Sequence, residues 1–208
     1  MAVTALVMFG VYALAAFGIR TWLQVRATGD TGFRGISGRP GSAEWWAGVS
    51  FAVALVAALA GPVAGLVGLG EVNGLGHERV ATLGVGVAAI GTLATVVTQM
   101  AMGDSWRIGV DKAETTDLVT DGPFAIVRNP IFTAMGVTGL GLALIVPNLV
   151  ALAGLVVLLL AIHLQVRVVE EPHLMRTHGA RYLGYAARVG RFLPRIGLLK
   201  QPQPQSRR

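Results

Sequence analysis

Five apolar segments take up most of this chain, and their length decides the solvent it folds in. They run approximately 2–19, 45–67, 80–102, 131–146 and 149–166. A helix needs about 20 such residues to cross a hydrocarbon core of roughly 30 Å. The last two are separated only by Pro147 and Asn148. That spacing predicts a tight helical hairpin with rather short arms. Composition agrees: 13% of the 208 residues are charged, about half the roughly 25% that a water-facing surface needs. The expected fold is all-α: a polytopic integral membrane protein with about five transmembrane helices.

Basic residues orient the spans. The segment near 20–44 carries Arg20, Arg26, Arg34 and Arg39, and that near 103–130 carries Arg107, Lys112 and Arg128. From Arg167 onward there are nine more, whereas 68–79 holds only Arg79 and the hairpin turn holds none. Alternate loops therefore hold 16 of the 17 basic residues. The positive-inside rule then predicts the N-terminus outside and the C-terminus in the cytoplasm. The same clustering explains the net charge of +6 by topology, so no nucleic-acid partner is expected. The first segment lacks a basic start and a clear cleavage site, and reads as a retained span. With no cysteine, disulfides, thiolate metal sites and a cysteine nucleophile are excluded.

Three regions are expected: 1–102, a three-helix membrane region; 103–200, a catalytic region with the hairpin and a cytoplasmic site; and 201–208, a disordered tail. Gly61 and Gly65 form a GxxxG pair, read as close packing within the monomer. Oligomeric state is not legible.

The fifth span ends in polar residues. His163, Arg167 and Glu170 or Glu171 are spaced along one helical face. Two adjacent carboxylates repel, so one needs a positive partner, and a ligand pocket is the favoured reading. Pro172 is expected to disfavour helical geometry at Glu171 and to begin a second helix at a new angle. That helix, with Arg176, Arg181, Tyr182, Tyr185, Arg188 and Arg191, reads as amphipathic and interfacial. Arg191 and Arg195 read as surface anchors. Glu170-x-x-His173 has no second copy, so no metal site is expected. No dinucleotide or triphosphate loop occurs.

"LVTDGPFAIVRNPIF" at 118–132 resembles the G-P-[YF]-x-x-[VT]-R-[HN]-P-x-[YF] motif of the isoprenylcysteine carboxyl methyltransferase family, within the broader phospholipid-methyltransferase-like membrane enzymes. "VEEPHLMRTHGARYLGYAARVGRFLP" at 169–194 resembles that family's second motif, E-E-x-x-L followed by a glycine and Y-x-x-Y. "GDSWRIGV" at 103–110 resembles its approach to the first motif. The likeness covers roughly 103–194. Asn129 stands where eukaryotic members typically have His, and Phe132 where Tyr is common.

The resemblance implies S-adenosylmethionine (SAM) as methyl donor, held by both motifs at the cytoplasmic face. Pro123, Phe124, Val127, Arg128, Asn129, Pro130, Phe132, Glu170, Glu171 and Tyr182 are the expected cofactor-binding residues. Glu170 or Glu171 would accept from the ammonium or ribose, and Arg128 or Arg167 would fork a carboxylate. Arg167, Glu171 and Arg188 are the expected catalytic residues: the arginines to face a carboxylate acceptor, and Glu171, or else a tyrosine, as base for an amine or thiol. The acceptor, lipophilic or small, stays open. Two alternatives remain: an NADPH-dependent membrane reductase of the steroid or sterol type, and a non-enzymatic membrane scaffold or carrier. Glu170→Ala and Arg128→Ala are each expected to abolish SAM binding without loss of folded protein.

Overall fold

A computed structural model describes residues 1–110 and 116–200. The expected tail at 201–208 lies outside the described residues, as does Lys112. Five helices follow in order: α1 Ala2–Thr28, α2 Ala43–Leu66, α3 Glu78–Ala101, α4 Pro130–Ile145 and α5 Leu149–Ala186. Four are long and apolar enough to cross a membrane, and α4 is a shorter apolar helix. Its 16 residues reach about 24 Å, so the short arm expected of the hairpin is real. Among the described residues there is no strand, only two isolated bridges.

Two caps start helices where the sequence has polar residues. The Ser42 hydroxyl accepts from the Trp45 amide at 3.2 Å, and the Asn148 side chain accepts from the Ala151 amide at 2.9 Å. Each satisfies a backbone donor that the first helical turn leaves free. Asn148 also donates to the Gly61 carbonyl at 2.8 Å, which ties the hairpin turn to α2.

The bundle inverts the soluble pattern. Its interior is built of small residues, including Ala5, Ala16, Ala54, Ala88 and Ala161, while large aliphatics such as Val7, Val56, Ile90, Leu93 and Leu160 are exposed. In lipid, helices associate by close packing rather than by hiding apolar surface. Glycines set the approach. A Cβ on Gly91 would stand 2.5 Å from the Thr138 amide, and one on Gly61 would stand 2.8 Å from Ala151 Cβ. Gly65 faces Val146 in the same way, so the GxxxG pair packs within the chain.

Parallel contacts fix the sense of the spans. Gln99 reaches the Ala16 carbonyl and Arg20 reaches the Gly103 carbonyl, each across 83 positions. A constant offset means that α1 and α3 run the same way, as the first and third of alternating spans must. The segments after α1, after α3 and after α5 gather at one end. Gly32 and Arg34 exchange backbone bonds with Ile108, and Arg128 and Asn129 donate to Gly190 and Arg191. At the other end Val72 bonds the Pro147 carbonyl.

The fifth helix corrects one expectation. Glu171 is helical (φ −58°, ψ −44°) and the helix runs through Pro172. A wide π turn at Gln165–Glu170 comes just before it. Proline removes one helical donor and its ring crowds the carbonyl four residues back, and the π turn widens the backbone at that point. The true break is Gly179 (φ 50°, ψ −125°), a conformation open to glycine and strained for other residues.

Candidate active site

Glu171 is the centre of the loop end of the bundle. It is buried on α5, and its Oε1 accepts from Arg128 Nη2 at 2.8 Å. Arg191 grips the same carboxylate with a fork, Nε to Oε1 at 2.8 Å and Nη2 to Oε2 at 3.0 Å. Such charge-assisted pairs are the strong class of hydrogen bond, and the burial of both Arg128 and Glu171 makes each dependent on the other.

Arg128 does more than pair. Its Nη1 donates to the Ala186 and Val189 carbonyls at 2.9 and 2.6 Å. Its Nη2 also donates to Gly197 at 3.0 Å. Both terminal nitrogens are thus committed to the segment 186–197, which crosses back over the first motif. That return is a short parallel bridge, Val127 against Gly190. Tyr185 donates to the Phe124 carbonyl at 2.6 Å, and Thr133 donates to the Phe192 carbonyl at 3.0 Å.

The expected site residues divide accordingly. Arg128, Asn129, Glu171 and Tyr182 come together, buried, with Phe124, Val127 and Pro130 buried around them. Pro123, Phe132 and Glu170 are half-buried. Phe132 meets Phe51 of α2 edge to face at 6.2 Å and packs in the same apolar cluster as Phe192. Arg167 and Arg188 are exposed, with no ion pair among the described residues. Arg167 lies within the π turn, four residues before Glu171.

One expectation changes here. Arg191 is not a surface anchor but the second partner of Glu171. Its place in an irregular segment, twenty residues from Glu171, gives no periodic signal; the only available hint was that a buried glutamate pair calls for cations. Asn129 sits at the start of α4 yet makes no side-chain cap. Its Nδ2 instead donates to the Arg191 carbonyl at 3.1 Å.

Glu170 differs from its neighbour. Gln165 lies beside it, and no arginine pairs with it among the described residues. One carboxylate is therefore held by two arginines, and the other meets only Gln165.

Residues 80–181 match a model of the phospholipid methyltransferase family. The match covers 102 of the 208 residues, just under half of the chain. The match begins in α3 and ends in α5, so the family segment holds both the hairpin and Glu170–Glu171. It stops short of Tyr182 and Arg191. The nickel-cobalt-cadmium resistance protein NccN of Alcaligenes xylosoxydans xylosoxydans is 28% identical over 107 residues. That alignment covers 50% of this chain and 49% of that protein, so it spans about half of each. The family match suggests a methyltransferase, and the apolar helices suggest a multi-pass membrane protein.

Proposed function

We propose that this protein transfers a methyl group from SAM to a lipophilic or small acceptor at the cytoplasmic membrane face. The family match carries the reading, and the convergence of its two motifs on Glu171 supports it. The reductase and scaffold alternatives lack such support. The name of the relative NccN concerns metal resistance. Among the described residues there is no group of three His, Asp or Glu that could hold a metal ion.

The residues present fit SAM at its cationic end. Glu170 is a half-buried carboxylate without an arginine, suited to an ammonium or sulfonium. The exposed Arg167 and Arg188 suit a carboxylate, on the cofactor or on an acid acceptor. Phe124, Pro130 and Tyr182 supply apolar walls that exclude water. Bound SAM supplies an electrophilic methyl on a good leaving group, so the chain's own task is placement and alignment of the two reactants. Glu171, held by two guanidiniums, is assigned to the frame of the site rather than to proton transfer. If the acceptor is an amine or thiol, Glu170 is the carboxylate free to take its proton.

Calorimetry on purified protein tests the cofactor: SAM is expected to bind and NADPH is not. Binding of NADPH alone would overturn the reading. Transfer of labelled methyl from SAM into a membrane lipid extract, followed by mass spectrometry, then identifies the acceptor.

A further inference from the structure

Among the described residues, five buried side-chain atoms have no protein hydrogen-bond partner, and four of them lie on one seam. They are the Tyr12 hydroxyl, Arg20 Nε, Gln24 Oε1 and Gln99 Oε1. All four side chains are buried, between 1% and 4% exposed. The seam runs where α1 meets α3 and shares no residue with the candidate active site. Its parallel register sets Tyr12 beside Thr95, the Ala16 carbonyl beside Gln99, Arg20 beside Gly103, and Gln24 beside Asp104.

The two amides cannot satisfy themselves by turning over. Gln99 Nε2 donates to the Ala16 carbonyl at 3.0 Å and Gln24 Nε2 to the Asp104 carbonyl at 3.1 Å. A flip would set each amide oxygen against a carbonyl oxygen. Arg20 commits Nη2 to the Gly103 carbonyl at 2.7 Å and stacks its guanidinium 4.5 Å from the Trp106 ring, which leaves Nε over. The Thr95 hydroxyl donates to the Gly91 carbonyl at 2.9 Å, so towards Tyr12 it can only accept, and the lone pairs of the Tyr12 oxygen stay unmet.

The unmet needs alternate: a hydroxyl, an amide oxygen, an N–H, an amide oxygen. An anion would meet two carbonyl oxygens, and a metal cation would meet a guanidinium. Water both donates and accepts, and it complements all four. The seam is open to solvent at one end, where Gly103 and Asp104 are exposed. At the other, Tyr12 lines an apolar cleft of about 20 Å³ in which Thr138 is the only other polar side chain.

We propose that this seam binds a file of internal water linking solvent at the loop end to the Tyr12 hydroxyl in the apolar core. It gives Tyr12 a path for proton exchange through a slab of small apolar residues. The inference stands on α1, α3 and the turn that follows α3, and is independent of methyl transfer.

Radiolytic hydroxyl-radical footprinting in lipid nanodiscs tests it, because the radicals form from water in place and oxidise the side chains that touch it. In the wild-type protein Tyr12 is expected to be oxidised. Its rate should fall several-fold in Gln99→Leu and in Gln24→Leu, with exposed Trp46 unchanged. Absence of Tyr12 oxidation in the wild type overturns the proposal without any variant. An unchanged rate in either variant also overturns it, since water then reaches Tyr12 through the cleft. If Gln99→Leu does not fold, Gln99→Met takes its place.

Discussion

Glu170 and Glu171 are neighbours in the chain, but two guanidiniums hold Glu171 and none holds Glu170. The fold needs the first contact set, and a ligand is free to use the second group. Glu171→Ala should strand Arg128 and Arg191 and lower stability by about 3–5 kcal/mol, read by thermal unfolding in detergent. Glu170→Gln should leave the unfolding temperature near that of the parent yet weaken SAM binding about tenfold or more, or roughly 1.4 kcal/mol, read by calorimetry. Arg128→Ala was expected from sequence to spare the fold. The structure gives its terminal nitrogens four protein acceptors, so it should destabilise the protein like Glu171→Ala. The sequence could show that one glutamate needs a cation. It could not show which, because Arg191 lies in a segment without helical period.

Close approach is the rule among the helices, and glycines mark it. Gly91→Ala would drive a methyl onto Thr138, with its amide at 2.5 Å and its hydroxyl at 2.6 Å. Overpacking of this kind costs about 1–3 kcal/mol. Gly86 lies on the same helix with nothing within 4 Å of a Cβ. Gly86→Ala should therefore gain up to about 1 kcal/mol from helix propensity alone. Melting curves of the two variants should move in opposite directions. Span number and hairpin were legible because apolar length and Pro147–Asn148 are local signals. The π turn at Gln165–Glu170 was not, since Pro172 in the sequence reads equally as a break or as a bend absorbed upstream.

Across the whole molecule, the loops rich in arginine share one end and the loop with Arg79 shares the other with the hairpin turn. The positive-inside rule assigns the rich end to the cytoplasm. Because the chain has no cysteine, single substitutions report cleanly. Gly74→Cys in intact cells should react with a membrane-impermeant thiol reagent, and Arg39→Cys should react only after the cells are opened. The reverse pattern would turn the protein over and place the site outside.

The return of 186–197 across the first motif also sets an order of events in time. Arg128 takes acceptors 58, 61 and 69 residues further along the chain. At a synthesis rate of about 5–20 residues per second, the last acceptor follows Arg128 by roughly 3–14 seconds. During that interval the hairpin can enter the bilayer, while a guanidinium without its partners waits at the threshold. Insertion and site assembly are therefore separate stages of biogenesis, and a nascent chain stopped at residue 185 should be inserted yet unable to hold Arg128.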